Sequence, residues 1–253
     1  MFFMKRSDII FRNYVDFGYI TDNRNFRYRN AQDVIGCIGD KIISETGAVF
    51  FSVLDEHPKH IKDIVNKIID KFIDADIELV TNDAKDFYGI LEKEGFIVSG
   101  ESSEICLNKS VKSSFNSIVD CAVGSSKEAE FNKKKTQDFF EGYFKGKPQL
   151  VSVHIELTSK CNERCIHCYI PHENKFDELE NGLLSNILNQ CQELNVQHLT
   201  VSGGEPMLHK NFLDLIVRCK ENNFSVSLLS NLTLLTDEIL RELKRNPLLG
   251  VQT

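Results

Sequence analysis

Residues 16–21 and 25–29 alternate apolar and polar side chains around Asp22, Asn23 and Arg24, which predicts a hairpin with a polar turn. A third extended piece is expected over 34–38, weakened by Gly36 and Gly39. The spacing then becomes helical. Residues 44–54 have Ser44 as an N-cap and apolar Val49, Phe50, Val53 and Leu54. Residues 58–72 open with Pro58 and repeat Ile61, Ile64, Val65, Ile68 and Phe72 along one helical face. A third helix is expected from a cap at Asn82 or Asp83 through Phe87, Ile90 and Leu91, with Lys93 near its end and Gly95 as its stop. A short strand over 96–98 closes a small α+β module of winged-helix-like type, residues 1–103.

The tone changes from Ser99 to Gln149. Paired serines and the run Lys133 to Lys135 predict exposed, partly irregular chain, and 104–147 reads as a linker. Within it, 136–144 has the look of a short helix, expected to pack at the entrance of the domain that follows. From 148 onward the rhythm is strand, loop, helix. Strands are expected over 151–157, 199–201, 225–229 and 248–252, and helices over 181–194, 211–222 and 236–245, the last capped by Thr236. This alternation predicts α/β architecture: parallel strands joined by crossovers, the opening part of a (β/α) barrel over 148–253.

Composition sets the bounds. The net charge of −7 argues against a dedicated nucleic-acid or membrane-surface protein. No apolar run approaches the ~20 residues of a membrane helix, and the start lacks the apolar core of a signal peptide. A cytoplasmic location is the expectation. Cys37, Cys106, Cys121, Cys191 and Cys219 are scattered without a pairing pattern and read as free or buried thiols.

Three further cysteines are different. Cys161, Cys165 and Cys168 stand at C-x3-C-x2-C spacing directly after a predicted strand, followed by Tyr169. Three thiolates turned toward one point suit a soft metal, and three are one fewer than a closed iron–sulfur cluster takes. Such a set leaves one iron open for chemistry, as in open catalytic zinc sites. Two blander readings exist: a structural zinc completed by His167 or His172, and core thiols. No second zinc half follows, and Asn162, Glu163 and Arg164 between the cysteines are polar. Downstream, Gly203, Gly204, Glu205 and Pro206 end the second predicted strand, where glycines let a ligand approach the backbone and proline turns the chain away.

The cysteine loop after one strand and Gly-Gly-Glu-Pro after the next resemble the radical S-adenosylmethionine (radical SAM) superfamily. The resemblance implies a [4Fe–4S] cluster on Cys161, Cys165 and Cys168. It also implies S-adenosylmethionine on the fourth iron and a 5′-deoxyadenosyl radical that takes hydrogen from substrate. Gly203, Gly204, Glu205 and Pro206 would lie by the methionine amino group and Tyr169 by the adenine. His167 holds a slot where the family often has an aromatic or histidine, and Ser230 and Asn231 would face the cofactor. A reductant such as flavodoxin or ferredoxin is implied as partner. Residues 11–24 resemble the starts of radical SAM peptide maturases, whose N-terminal domain grips the leader of a ribosomally made precursor peptide. That resemblance implies a strand added at a sheet edge and seated on a helix groove.

A DNA-binding winged helix is the competing reading of the first module. Its expected recognition helix mixes Asp83, Lys85, Asp86, Glu92, Lys93 and Glu94 instead of concentrating cations. Two other functions stay open: a radical SAM enzyme acting on a small molecule, and a truncated, non-catalytic remnant that still binds a leader. Only about half of the family's usual barrel is expected from these strands, so an excerpt or a truncated product is anticipated.

Overall fold

The computed structural model describes residues 1–7, 9–22, 39–72, 75–112, 127–246 and 248–253. It divides the chain into two compact units, residues 1–146 and 147–253.

In the first unit, strand β1 (Phe2–Lys5) pairs antiparallel with β5 (Lys59–His60) and β6 (Ile97–Gly100). A second sheet runs β2 (Ile10–Tyr14), β3 (Phe17–Thr21), β4 (Asp40–Ser44), antiparallel throughout. The sequence reading missed β1 and β2. Strand β3 finds its hairpin partner upstream, with Tyr14 opposite Phe17. The expected partner at 25–29 and the extended piece at 34–38 lie outside the described residues.

Helix α1 (Glu45–Ser52) is capped as expected, Ser44 Oγ accepting from Gly47 N at 3.1 Å. Helix α2 (Ile61–Ile69) starts later than expected. Pro58 precedes the short strand β5, and His60 Nδ1 caps the helix at Lys62 N. Helix α3 (Ile77–Lys93) starts earlier, because Asp76 Oδ1 takes the N–H of Leu79 at 2.9 Å. One apolar cluster joins these elements, with Phe51, Ile64, Ile68, Tyr88, Leu91 and Phe96 fully buried. Removing Ile64 or Ile68 side chains would cost about 2–5 kcal/mol each.

Of the expected linker, the described residues 104–112 and 127–144 are helical and fall in the first unit. Helix α4 (Ser103–Lys112) seats Cys106 against β1 and β6, its thiol 3.3 Å from the carbonyl of Phe2. Helix α5 (Lys127–Phe144) lays Phe139, Phe140, Tyr143 and Phe144 against Tyr14, Phe17 and Tyr19 of the β2–β3 hairpin. The helix expected over 136–144 is found as the C-terminal half of α5. Its aromatic face is drawn to the aromatic face of a sheet, where ring contacts add to area burial.

The second unit is a parallel sheet in the order β10-β9-β8-β7, formed by β7 (Ser152–Glu156), β8 (His198–Ser202), β9 (Ser225–Leu229) and β10 (Gly250–Gln252). Helices α6 (Asn181–Glu193), α7 (Phe212–Glu221) and α8 (Asp237–Arg245) follow its strands in turn. Register separates two faces. Ile155, Leu157, Leu199, Val201, Val226 and Leu228 join Leu184, Leu188, Leu215 and Ile216 of the helices in one core. The other face carries Ser152, His154 and Glu156, then His198, Thr200 and Ser202, then Ser225 and Ser227. Parallel strands ordinarily read as apolar on both sides. Here one side is polar.

Candidate functional site

The three cysteines lie in the loop after β7. Cys161 and Cys168 are half-buried and Cys165 is exposed, all three as free thiols. The loop is held from below by the glycine pair after β8. Gly204 N–H donates to Thr158 O at 2.6 Å, and Glu205 N–H to Lys160 O at 2.8 Å. A Cβ on Gly203 would fall 2.3 Å from Thr158 O, and one on Gly204 2.3 Å from Lys160 O. Gly203 also has φ of 140°, a backbone conformation that favours glycine. The glycines thus seat the backbone that leads into Cys161.

Glu205 is fully buried. Its Oε1 accepts from Ser230 Oγ at 2.8 Å and from Met207 N at 3.1 Å, and its Oε2 accepts from Asn231 N at 2.9 Å. Buried charge is tolerated when it is hydrogen-bonded on this scale. Pro206, also buried, opens the short 3-10 turn that this carboxylate caps. Ser230 is buried and its Oγ also accepts from Leu232 N at 3.0 Å. Each of these side chains is thereby engaged within the protein.

Asn231 joins this turn to the cysteine loop. Its Nδ2 lies 3.1 Å from Asn162 Oδ1 and 4.0 Å from Cys161 Sγ. Asn162 Nδ2 donates to Thr233 Oγ1 at 2.7 Å, and Thr233 Oγ1 donates to Asn231 Oδ1 at 2.6 Å. Tyr169 is turned to the sheet, its hydroxyl donating to Glu156 Oε1 at 2.6 Å, with most of the ring exposed. That hydrogen bond pushes the phenol up to about 12. His167 is exposed.

The structure therefore gathers Cys161, Gly203, Gly204, Glu205, Ser230 and Asn231 into one connected group at the C-terminal ends of β7, β8 and β9. Asn162, Thr233 and Glu156 were not singled out from sequence. The Asn-x-Thr step from 231 to 233 was the available signal, because an Asn oxygen takes the N–H two residues on in an Asx turn; here Thr233 N lies 2.9 Å from Asn231 Oδ1.

Which metal do these thiols suit? One zinc ion draws its sulfurs to ~2.3 Å from a single point. Among the described residues, no three His, Cys, Asp or Glu side chains are grouped so as to hold a metal ion, the three thiols included. A [4Fe–4S] cluster puts each thiolate on a different iron, so its ligands stand further apart. Three unpaired thiols on one loop, each at least partly open to solvent, fit the cluster in donor type and in accessibility.

Residues 155–253 match the sequence profile of the Radical SAM superfamily. The match lies within the second unit and covers less than half of the chain. Among curated relatives, the chain is 34% identical over 94 residues to the tungsten-containing aldehyde ferredoxin oxidoreductase cofactor-modifying protein of Pyrococcus furiosus, covering 36% of this chain and 26% of that one. It is 32% identical over 104 residues to the PqqA peptide cyclase of Gluconobacter oxydans, covering 40% and 29%. Among solved structures, that of Streptococcus suis SuiB bound to precursor peptide SuiA superposes with a TM-score of 0.47 and 16% identity, over 97% of this chain and 46% of that one. The matched segments span about a quarter to a third of the curated relatives' own length.

Proposed function

We propose that the protein is part of a radical SAM enzyme that modifies or crosslinks a ribosomally made precursor peptide. Cys161, Cys165 and Cys168 would hold the cluster. A cluster held there would supply the electron for reductive cleavage of S-adenosylmethionine, and with it the chemistry of hydrogen abstraction from an unactivated carbon. The chain's own residues position and shield. Gly203 and Gly204 leave backbone open at the strand end, where the methionine amino group would lie. Glu205, Pro206, Ser230 and Asn231 fix the turns around that space, and Tyr169 lies at its margin near the adenine.

The observation that carries this reading is the hydrogen-bonded linkage of the cysteine loop to the Gly-Gly-Glu turn and on to Asn231. The test is anaerobic reconstitution of the chain followed by reduction with dithionite in the presence of S-adenosylmethionine. Formation of 5′-deoxyadenosine that is lost when Cys161 is replaced by alanine supports the reading. A chain that holds iron but releases no 5′-deoxyadenosine would instead fit a remnant that binds leader peptide without making a radical.

The peptide partner rests on the first unit and on the name of the PqqA peptide cyclase relative. An extended leader would add a strand to a sheet of the first unit, beside its helices. Saturable binding of a leader peptide, encoded beside this chain, to the full chain tests that part. A second reading, a small-molecule substrate, is favoured by the name of the Pyrococcus relative. A flavodoxin or ferredoxin would supply the electrons in either case.

A further inference from the structure

We propose that Asn231 is a positioning residue for the cysteine loop whose amide also donates to the sulfur of Cys161, and that it thereby raises the potential at which a cluster on that loop is reduced. The inference rests on the radical SAM reading above and deepens it.

Three features of Asn231 lead to this. First, its backbone is fixed: the N–H ends on Oε2 of the fully buried Glu205 at 2.9 Å. Second, its side chain is oriented by its partners. The backbone N–H of Thr233 can only donate, and it lies 2.9 Å from one end of the Asn231 amide, which must therefore be the oxygen. The other end is then the NH2 group, and it faces Asn162 Oδ1 and Cys161 Sγ. Third, the ring closes through Asn162 Nδ2 and Thr233 Oγ1 at 2.7 Å, so neither amide is free to turn.

Cys161 is distinguished from the other two cysteines. Its sulfur also accepts the backbone N–H of Glu163 at 3.4 Å. Among the described residues, the sulfurs of Cys165 and Cys168 accept no hydrogen bond. The Asn231 separation of 4.0 Å is at the long end for a sulfur acceptor. Negative charge on a metal-bound thiolate strengthens such a contact. The reduced cluster carries one more negative charge than the oxidised one, so an N–H donor at its thiolate stabilises the reduced form more. Removing the donor must move the midpoint to more negative values.

The variants are Asn231→Ala, Asn231→Asp and Thr233→Val, each in the full chain reconstituted anaerobically. The backbone bond to Glu205 survives in all three. Asn231→Asp also keeps an oxygen for Thr233 while losing the NH2 donor, so it preserves the turn should the alanine variant fail to fold. The readouts are iron per chain and the cluster midpoint from a potentiometric titration followed by electron paramagnetic resonance. The midpoint is expected to become more negative in Asn231→Ala and more negative still in Asn231→Asp, where a carboxylate replaces the donor. Thr233→Val, which leaves the amide but frees it to turn, should fall between wild type and Asn231→Ala. Unchanged midpoints in both Asn231 variants, at wild-type iron content, overturn this inference and leave the radical SAM reading standing. A wild-type chain that takes up no [4Fe–4S] cluster overturns both.

Discussion

The Oε2 oxygen of Glu205 accepts the backbone N–H of Asn231 at 2.9 Å, and this bond ties the turn after β8 to the turn after β9. Glu205 has no exposed surface, and its other oxygen is shared between Ser230 Oγ and Met207 N. Replacing it with glutamine keeps the volume but puts an NH2 group against one of those donors. A loss of about 1–3 kcal/mol in unfolding free energy is expected for Glu205→Gln, and a larger one for Glu205→Ala, which strands all three donors. Urea denaturation followed by circular dichroism measures this. A loss below ~0.5 kcal/mol would contradict the bracing role.

Gly204 offers a steric test. A Cβ there would lie 2.3 Å from Lys160 O and 2.5 Å from Ser159 O, both backbone atoms. Backbone cannot swing aside as a flexible side chain does, so Gly204→Ala must displace the approach to Cys161. A stability loss of about 1–3 kcal/mol is expected, together with lower iron uptake. Gly182 in α6 is the control, since a Cβ there meets nothing within 4 Å. Gly182→Ala should leave both measurements near wild type or slightly improve stability.

Acid should weaken the second unit through His198. The ring is buried on the polar face of the sheet, with Nδ1 2.8 Å from Ser225 Oγ. Burial lowers its pKa from the ordinary 6.5 to about 4. The unfolded chain therefore takes up a proton near 6.5 that the folded chain refuses until about 4. Stability due to this group is complete above 6.5 and declines as the pH falls toward 4, with a slope of up to ~1.4 kcal/mol per pH unit. The difference between wild type and His198→Gln, measured by urea denaturation from pH 7 to pH 4, should follow that course. A pH-independent difference would contradict it.

Tyr169 should matter little to folding. Its hydroxyl bonds Glu156, but both side chains are exposed. Tyr169→Phe is expected to cost less than ~1 kcal/mol. Spectrophotometric titration of the chain should show a phenol ionising well above the ordinary 10, near 12, that is missing from the variant.

Much of the second unit was legible in the sequence because its strands and helices obey simple periods. Val226 and Leu228 alternate with Ser225 and Ser227, and Leu184, Leu188 and Cys191 recur at helical spacing. The cysteine spacing and the glycine pair marked the candidate site for the same reason: local chemistry sits in local sequence. What remained hidden was relational. Nothing within residues 203–206 tells that Glu205 is satisfied by residues 25 and 26 positions onward. Phe2 to Lys5 were missed as a strand because four residues give too short a pattern, and their partners at 59–60 and 97–100 are remote. Residues 127–135 read as polar linker because their charges outnumber their rings, and only 136–144 read as helix. Yet Phe139, Phe140, Tyr143 and Phe144 fall within two helical turns and find Tyr14, Phe17 and Tyr19. Helix α3 starts at Asp76 because its cap is set by geometry, and Asn82 and Asp83 are equally good caps on paper.

The most direct measurement is metal and sulfide analysis, with visible absorption and electron paramagnetic resonance, of the chain purified and reconstituted without oxygen. Wild type should hold about four irons with matching sulfide and become paramagnetic on one-electron reduction, and the triple alanine variant of Cys161, Cys165 and Cys168 should hold none. Tightly bound zinc in place of iron, or a cluster that persists in the triple variant, would contradict the assignment of these three thiols.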